Sequence, residues 1–165
     1  MIDQQGFRAN VGIVLMNDHG RVFYGKRLGM PGWQFPQGGI EKNETAEQAM
    51  YRELQEETGL ESKHVALIGA TRNWLRYRLP KKHVRRDKKP VCIGQKQIWF
   101  LLRLLGCETD VKLDRSPDDQ AFEEWRWIDY WEPQRLVVPF KREVYERALK
   151  ELAEVGRRNC GLPPQ

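Results

Sequence analysis

The chain of 165 residues has no apolar run near the roughly 18 to 20 residues that a membrane-spanning helix needs. Cysteine is scarce: Cys92, Cys107 and Cys160 are odd in number and scattered, giving neither a disulfide framework nor a zinc spacing. Free thiols in a reducing compartment are therefore expected. Residues Met1 to Gln5 show neither the basic segment nor the apolar segment of an export signal, so none is expected. No internal repeat is visible. Disorder is excluded by composition, since 40% of residues are apolar and 31% charged. These absences leave a soluble, cytoplasmic protein, with a monomer expected. One domain is expected over 1–156, followed by a flexible tail over 157–165.

What is abundant is charge, and it is unevenly spread. The net charge is +5 with a pI near 9.2. Residues 81–89 (Lys81, Lys82, His83, Val84, Arg85, Arg86, Asp87, Lys88, Lys89) form a basic run, preceded by Arg72, Arg76 and Arg78, whereas residues 41–61 are acidic. Such a division fits polyanion binding beside a cation site, although a solvated basic loop has the same composition.

Residues 8–15 and 21–26 alternate as strands around the turn Asn17-Asp18-His19-Gly20, predicting a hairpin. Residues 28–43 are rich in glycine and proline and form a shaped loop. A helix follows from about Thr45 to Thr58, with Thr45 and Gln48 as a capping box and Gly59 as the C-terminal cap. Strands are expected near 65–79, 96–105 and 124–128. A second helix is expected from about Pro139 to Val155, with Phe140, Val144, Ala148, Leu149 and Leu152 at helical spacing. Sheet-forming segments with one helix inserted early and another late predict an α/β sandwich.

The first helix carries an electrostatic conflict. Ala46, Ala49, Met50 and Leu54 make its apolar stripe, and Glu53, Glu56 and Glu57 share an arc of roughly 100° that overlaps it. Like charges at this spacing repel, and the C-terminal turn is the negative end of the helix dipole. A bound Mg²⁺ or Mn²⁺ would resolve both problems, because hard cations favour carboxylate oxygens. A solvated acidic face is the alternative.

The surroundings decide between them. Gly38 is followed by five residues, Glu44, seven residues, and then Arg52-Glu53-Leu54-Gln55-Glu56-Glu57-Thr58-Gly59-Leu60. This fills every fixed position of the Nudix box, a match expected by chance on the order of once in a billion windows. The chain resembles the Nudix hydrolases, which implies an α/β/α sandwich with a mixed sheet and the box helix between strands. The resemblance implies that Glu53, Glu56 and Glu57 are metal ligands, with Glu53 the closest to a catalytic role. It implies further that Arg52 orients a ligand carboxylate, Glu44 braces the loop, and Gly38 lets its carbonyl approach a metal. Two or more Mg²⁺ or Mn²⁺ ions and attack of water on phosphorus are implied as well.

Further segments, among them Trp33-Gln34-Phe35-Pro36-Gln37-Gly38-Gly39, residues 71–77, residues 89–97 and Trp125-Arg126-Trp127, resemble the RNA pyrophosphohydrolase and dinucleoside polyphosphate hydrolase branch over about residues 1–155. The substrate implied is an RNA 5′-triphosphate end, cut to a monophosphate to start mRNA decay; dinucleoside polyphosphates such as Ap4A and Ap5A are the alternative. Arg8, Arg27, Gln37, Tyr77, Val138, Phe140 and Lys141 become the expected substrate contacts. Trp74, Trp99, Trp125 and Trp127 are expected mostly in the core, although tryptophan can also stack on bases.

One position departs from that branch. Its members carry a glutamate just before the phenylalanine of the segment preceding Trp-Arg-Trp, and here that residue is Ala121. Asp119 or Glu123 could substitute, or the chain lacks one metal ligand or base, or a glutamate has been exchanged for alanine to trap substrate. A module that holds nucleotide or RNA without cutting is the third functional class consistent with Ala121.

Overall fold

The computed structural model describes residues 1–113 and 120–160, the last of these by its backbone alone. In chain order the elements are β1 (Phe7–Met16), β2 (Arg21–Arg27), β3 (Trp33–Gln34), β4 (Gln37–Gly39), α1 (Ala46–Thr58), β5 (Val65–Ala70), β6 (Leu75–Arg78), β7 (Gly94–Leu104), β8 (Phe122–Asp129), α2 (Pro133–Leu136) and α3 (Arg142–Cys160).

β1 explains the architecture. Val11, Ile13 and Leu15 face one side while Val14 and Met16 face the other, and both sets are buried. A strand covered on both faces reads as a continuous apolar run, which residues 11–16 do. β1 lies parallel to β7, from Phe7 opposite Gly94 to Met16 opposite Arg103. The same division recurs in β7, where Trp99 and Leu101 face one core and Phe100, Leu102 and Leu104 the other. The sheet runs β3-β2-β1-β7-β5, with β4 added to β1, β6 to β7 and β8 to β2. Ala49, Met50 and Leu54 of α1 close one face, and Val144, Tyr145, Ala148, Leu149 and Leu152 of α3 close the other. The α/β/α sandwich with a mixed sheet is therefore what the chain forms.

The hairpin forms as the sequence predicts, with the Asn17 carboxamide oxygen accepting from the His19 and Arg21 amides at 2.9 and 3.0 Å. The α1 capping box and the left-handed Gly59 cap (φ 78°) are both present. Three expectations change. The stretch 65–79 is two strands, because Thr71 leaves the ladder: its amide donates to the Trp99 carbonyl at 2.8 Å and its hydroxyl accepts from the Trp99 amide at 3.0 Å. α3 begins at Arg142, since Pro139–Lys141 is a separate 3₁₀ turn. It also runs through Cys160, so Arg157 to Cys160 are helix rather than tail. Gly69 admits Val155 into the space its own side chain would occupy, and Asn159 donates to the Ile68 carbonyl at 2.6 Å. Residues 161–165 lie outside the described residues. Among the described residues no helix is long and apolar enough to cross a membrane.

Of the tryptophans, Trp99 is fully buried, Trp125 and Trp127 are half-buried against the α1-side core, and half-buried Trp74 holds the Lys96 ammonium 4.8 Å from its ring centre. Trp99 sits edge-on to Phe35 and Tyr145, with ring centres 5.7 and 5.3 Å away, over a space left free by Gly12. Replacing it with alanine is expected to cost about 3–5 kcal/mol, read as a lowered midpoint in urea unfolding. A cost under about 1 kcal/mol would mean that this cluster does not anchor the α3 face.

Candidate active site

The glycine-rich loop enters the sheet as β4, with Asn10, Val11 and Gly12 of β1 opposite Gly39, Gly38 and Gln37. That pairing holds the loop against the flank of α1. A Cβ on Gly38 would fall 1.9 Å from the Glu53 carboxyl carbon, so only glycine lets the strand and this carboxylate lie together.

Arg52 ties the rest. Its Nε and Nη2 donate to the two oxygens of Glu44 at 2.8 and 3.0 Å, a two-pronged pair, and Nη2 also donates to the Gly39 carbonyl at 2.7 Å. Nη1 donates to Glu53 Oε1 at 2.8 Å and to Glu56 Oε2 at 3.3 Å. One guanidinium thus joins loop, brace and two box carboxylates. Glu44 in turn places its Oε2 against the Glu41 amide at 2.9 Å, and the Arg52 guanidinium holds its carboxyl below the ordinary value.

The three box glutamates differ sharply. Glu53 is buried, Glu57 is half-buried and accepts from the Gln37 amide at 3.1 Å, and Glu56 is exposed. Burial pushes the Glu53 carboxyl up despite Arg52, and burial together with nearby Glu53 pushes Glu57 well up. As positioned they do not close on a common point, nor does any other group of three His, Cys, Asp or Glu among the described residues. Glu53 and Glu56 are turned toward Arg52, and Glu57 toward Gln37. Mutual repulsion keeps three carboxylates apart unless a cation offsets it.

Gln37 connects this acidic side to a basic, aromatic one. While its amide serves Glu57, its side-chain oxygen accepts from Lys141 Nζ at 3.4 Å, and Gln34 accepts from the same ammonium at 3.1 Å. Lys141 is buried, 5.7 Å from the Tyr77 ring centre and 6.0 Å from that of Phe140; those two rings lie 5.7 Å apart. Burial and the neighbouring charge of Arg27 push Lys141 down to about 8. Burial pushes the Tyr77 hydroxyl up to about 12. Two cations whose charges oppose each other make a place for an anion. Arg8 is exposed and lies in one cross-strand row with Gln95 and Tyr77, hence on the same sheet face. Val138 is half-buried and receives the Lys141 amide at 3.0 Å. The structure therefore gathers Gln37, Tyr77, Phe140 and Lys141, with Arg27 alongside, and leaves Arg8 at the margin. Gln34 was missed by sequence reading, because only the fold brings it 3.1 Å from Lys141.

Ala121 lies immediately before β8, half-buried against the α1-side core, its carbonyl accepting from the Leu28 amide at 2.9 Å. The register of β8 against β2 shifts here, pairing Lys26 with Glu124 and Arg27 with Phe122, so Glu123 is the extra residue of a bulge. Its carboxylate meets Lys26 Nζ at 2.9 Å and is committed there. Asp119 lies outside the described residues.

This fold and this loop–helix pair define a class. The family model for the NUDIX domain matches residues 6–148, and the chain belongs to that family. Hydrolases of this family depend on divalent metals in general. Among curated relatives, the RNA pyrophosphohydrolase of Thioalkalivibrio sulfidiphilus is 62% identical over 93% of this chain and 88% of its own length. That of Stenotrophomonas maltophilia is 57% identical over 98% of this chain and 78% of its own length. The solved dihydroneopterin triphosphate pyrophosphohydrolase of E. coli superposes with a TM-score of 0.65 at 22% identity, covering 86% of this chain and 95% of that one. The C. elegans Ap4A hydrolase reaches 0.59 at 16%, covering 84% and 93%. Both solved structures share the fold.

The buried glutamates set a pH dependence. A carboxyl raised above its ordinary 4.5 in the fold stabilises the fold while protonated, and that contribution fades as pH rises through the folded value. In a chelating buffer the thermal midpoint is expected to be higher near about pH 5 than near about pH 7.5. A flat or rising profile would mean that these carboxyls are not destabilised by burial.

Proposed function

We propose that this enzyme removes pyrophosphate from the 5′-triphosphate end of RNA, leaving a 5′-monophosphate, in the cytoplasm. The observation that carries the reading is Gln37, whose amide holds a box carboxylate while its side chain holds Lys141 beside the Tyr77 and Phe140 rings. A substrate with a polyphosphate on one side and a base on the other fits that juxtaposition. The names of the relatives at 57–62% identity support it.

The residues present suit divalent cations. Glu53 and Glu57 are held at a cost in burial that a cation would offset, Gly38 leaves room beside Glu53, and the donors are oxygens of the kind Mg²⁺ and Mn²⁺ favour. Glu53, Glu56, Glu57 and the Gly38 carbonyl would hold two or more such ions, which supply charge neutralisation and a reactive water when bound. Arg52 sets the orientation of Glu53 and Glu56 and fastens α1 to the loop through Glu44. Arg27 and Lys141 bind phosphate oxygens, Tyr77 and Phe140 take the first bases by stacking, and Gln37 and Val138 shape the recess. Arg8 meets the polyphosphate from the margin. Ala121 leaves the core side of β8 without a carboxylate, which lowers turnover and leaves substrate binding largely intact.

The test is release of label from γ-phosphate-labelled RNA with Mg²⁺, beside Ap5A as a competing substrate. Label is expected to appear as pyrophosphate, and Glu53→Gln is expected to lower the rate by at least about a hundredfold. Cleavage of Ap5A with none of RNA would replace this substrate by the small-molecule one, and no cleavage of either would leave a binding module. Ala121→Glu is expected to raise kcat with little change in KM; an unchanged kcat would show that position 121 carries no part of the reaction.

A further inference from the structure

β6 is a free edge: it pairs with β7 and no other strand among the described residues. Its residues alternate, with Leu75 and Tyr77 buried on the α3 face and Arg76 and Arg78 exposed on the opposite one. A cleft of about 580 Å³ wraps around this edge. Tyr77, Phe140 and Glu143 line it from one face, and Phe7, Arg76 and Arg78 from the other. Gly94 makes the arrangement possible, since a Cβ there would lie 2.9 Å from the Phe7 ring and closer still to the Tyr77 carbonyl. Both guanidinium groups lie over the Phe7 ring, at 5.7 and 5.6 Å from its centre, and neither enters an ion pair with a described residue.

Beyond Arg78 the chain leaves the sheet for the loop between β6 and β7, closed at its base by the Leu79 amide donating to the Ile93 carbonyl at 2.9 Å. Its Lys81, Lys82, Arg85, Arg86, Lys88 and Lys89 are exposed, and its sole acid, Asp87, pairs with Arg85 at 3.7 Å. His83 returns toward the recess, edge-on to Phe140 with ring centres 6.1 Å apart. The cations therefore form one track, which starts at the Tyr77–Phe140 recess, crosses the edge of the sheet, and ends on the loop. Beyond that recess, none of it is needed to hold a triphosphate or the first bases.

We infer that this edge is a second binding site, taking RNA downstream of the bases held at Tyr77 and Phe140, with a base against Phe7 and backbone phosphates on Arg76, Arg78 and the 81–89 loop. The inference rests on the RNA-end reading and adds to it: the enzyme grips the transcript beyond its first bases as well as at its end. Stacking on an aromatic ring and an unpaired guanidinium are a sequence-tolerant combination, so the site selects length over sequence.

The experiment compares kcat/KM on a 5′-triphosphorylated dinucleotide and on an unstructured triphosphorylated RNA long enough to reach the loop, over a range of salt. The native enzyme is expected to prefer the longer RNA by at least about fivefold, the effect of one stacked base. Arg76→Gln combined with Arg78→Gln alters only exposed side chains. It is expected to remove most of that preference, to reduce the salt dependence for long RNA by about 1.4 in log–log slope, and to leave the dinucleotide rate unchanged. Equal rates on both RNAs in the native enzyme would overturn the site while leaving the RNA-end activity intact. Equal losses on both RNAs in the variant would overturn it too, by placing the arginines in the chemistry. No turnover of either RNA would sink the RNA-end reading and this site with it.

Discussion

The active-site region depends on one guanidinium. Arg52 is the point at which the loop, the box helix and two of the three glutamates meet, and its two-pronged pair with Glu44 sets its own orientation first. Arginine suits this position because its planar fork satisfies both Glu44 oxygens while keeping donors for the Gly39 carbonyl and for Glu53 and Glu56. An ammonium would offer a point charge with no fixed plane. The clamp also explains how a helix with no basic residue in its last turn can carry three carboxylates toward its end, since Arg52 compensates them from the preceding turn of the same helix. Repulsion among them is set against a fixed cation on one side and, in the family's chemistry, mobile cations on the other.

Around that clamp the sheet arranges two unlike environments side by side. On the α1 side lie acids held against their preference by burial. On the α3 side lie Lys141 and the Tyr77–Phe140 pair, with Lys141 disfavoured as a cation by burial and by Arg27. Each side is poorly compensated by itself. Cations would offset the acids on one side and an anion the charges on the other, so a metal-bound anion suits both at once.

Much of the local structure was legible in the sequence because its causes are local. Thr45 and Gln48 cap α1 within one turn, Gly59 ends it, and Asn17 to Gly20 turn the first hairpin with hydrogen bonds reaching only a few residues. The elements misjudged were those whose limits are set from elsewhere in the chain. The break at Thr71 depends on Trp99, and the extension of α3 to Cys160 depends on Gly69 and Ile68 accepting it. No periodicity within 65–79 or 157–160 contains that information.

For the site, the spacing from Gly38 to Leu60 determined which residues share a loop and a helix, and with them the class of chemistry, because helical geometry converts spacing into proximity. It could not distinguish Glu53 from Glu56, which are equivalent in composition and differ only in what packs over them: Gly38 and the sheet for one, solvent for the other. Nor could it bring Gln34, Tyr77 and Lys141 together, or reveal that Arg76 and Arg78 border the same cleft as Phe140. Those meetings depend on strand register and on the docking of α3. The sequence therefore determined the reaction type through short-range pattern, and tertiary structure alone decided which charges are buried, which are paired, and which side chains border a common cleft, because those follow from contacts between distant segments.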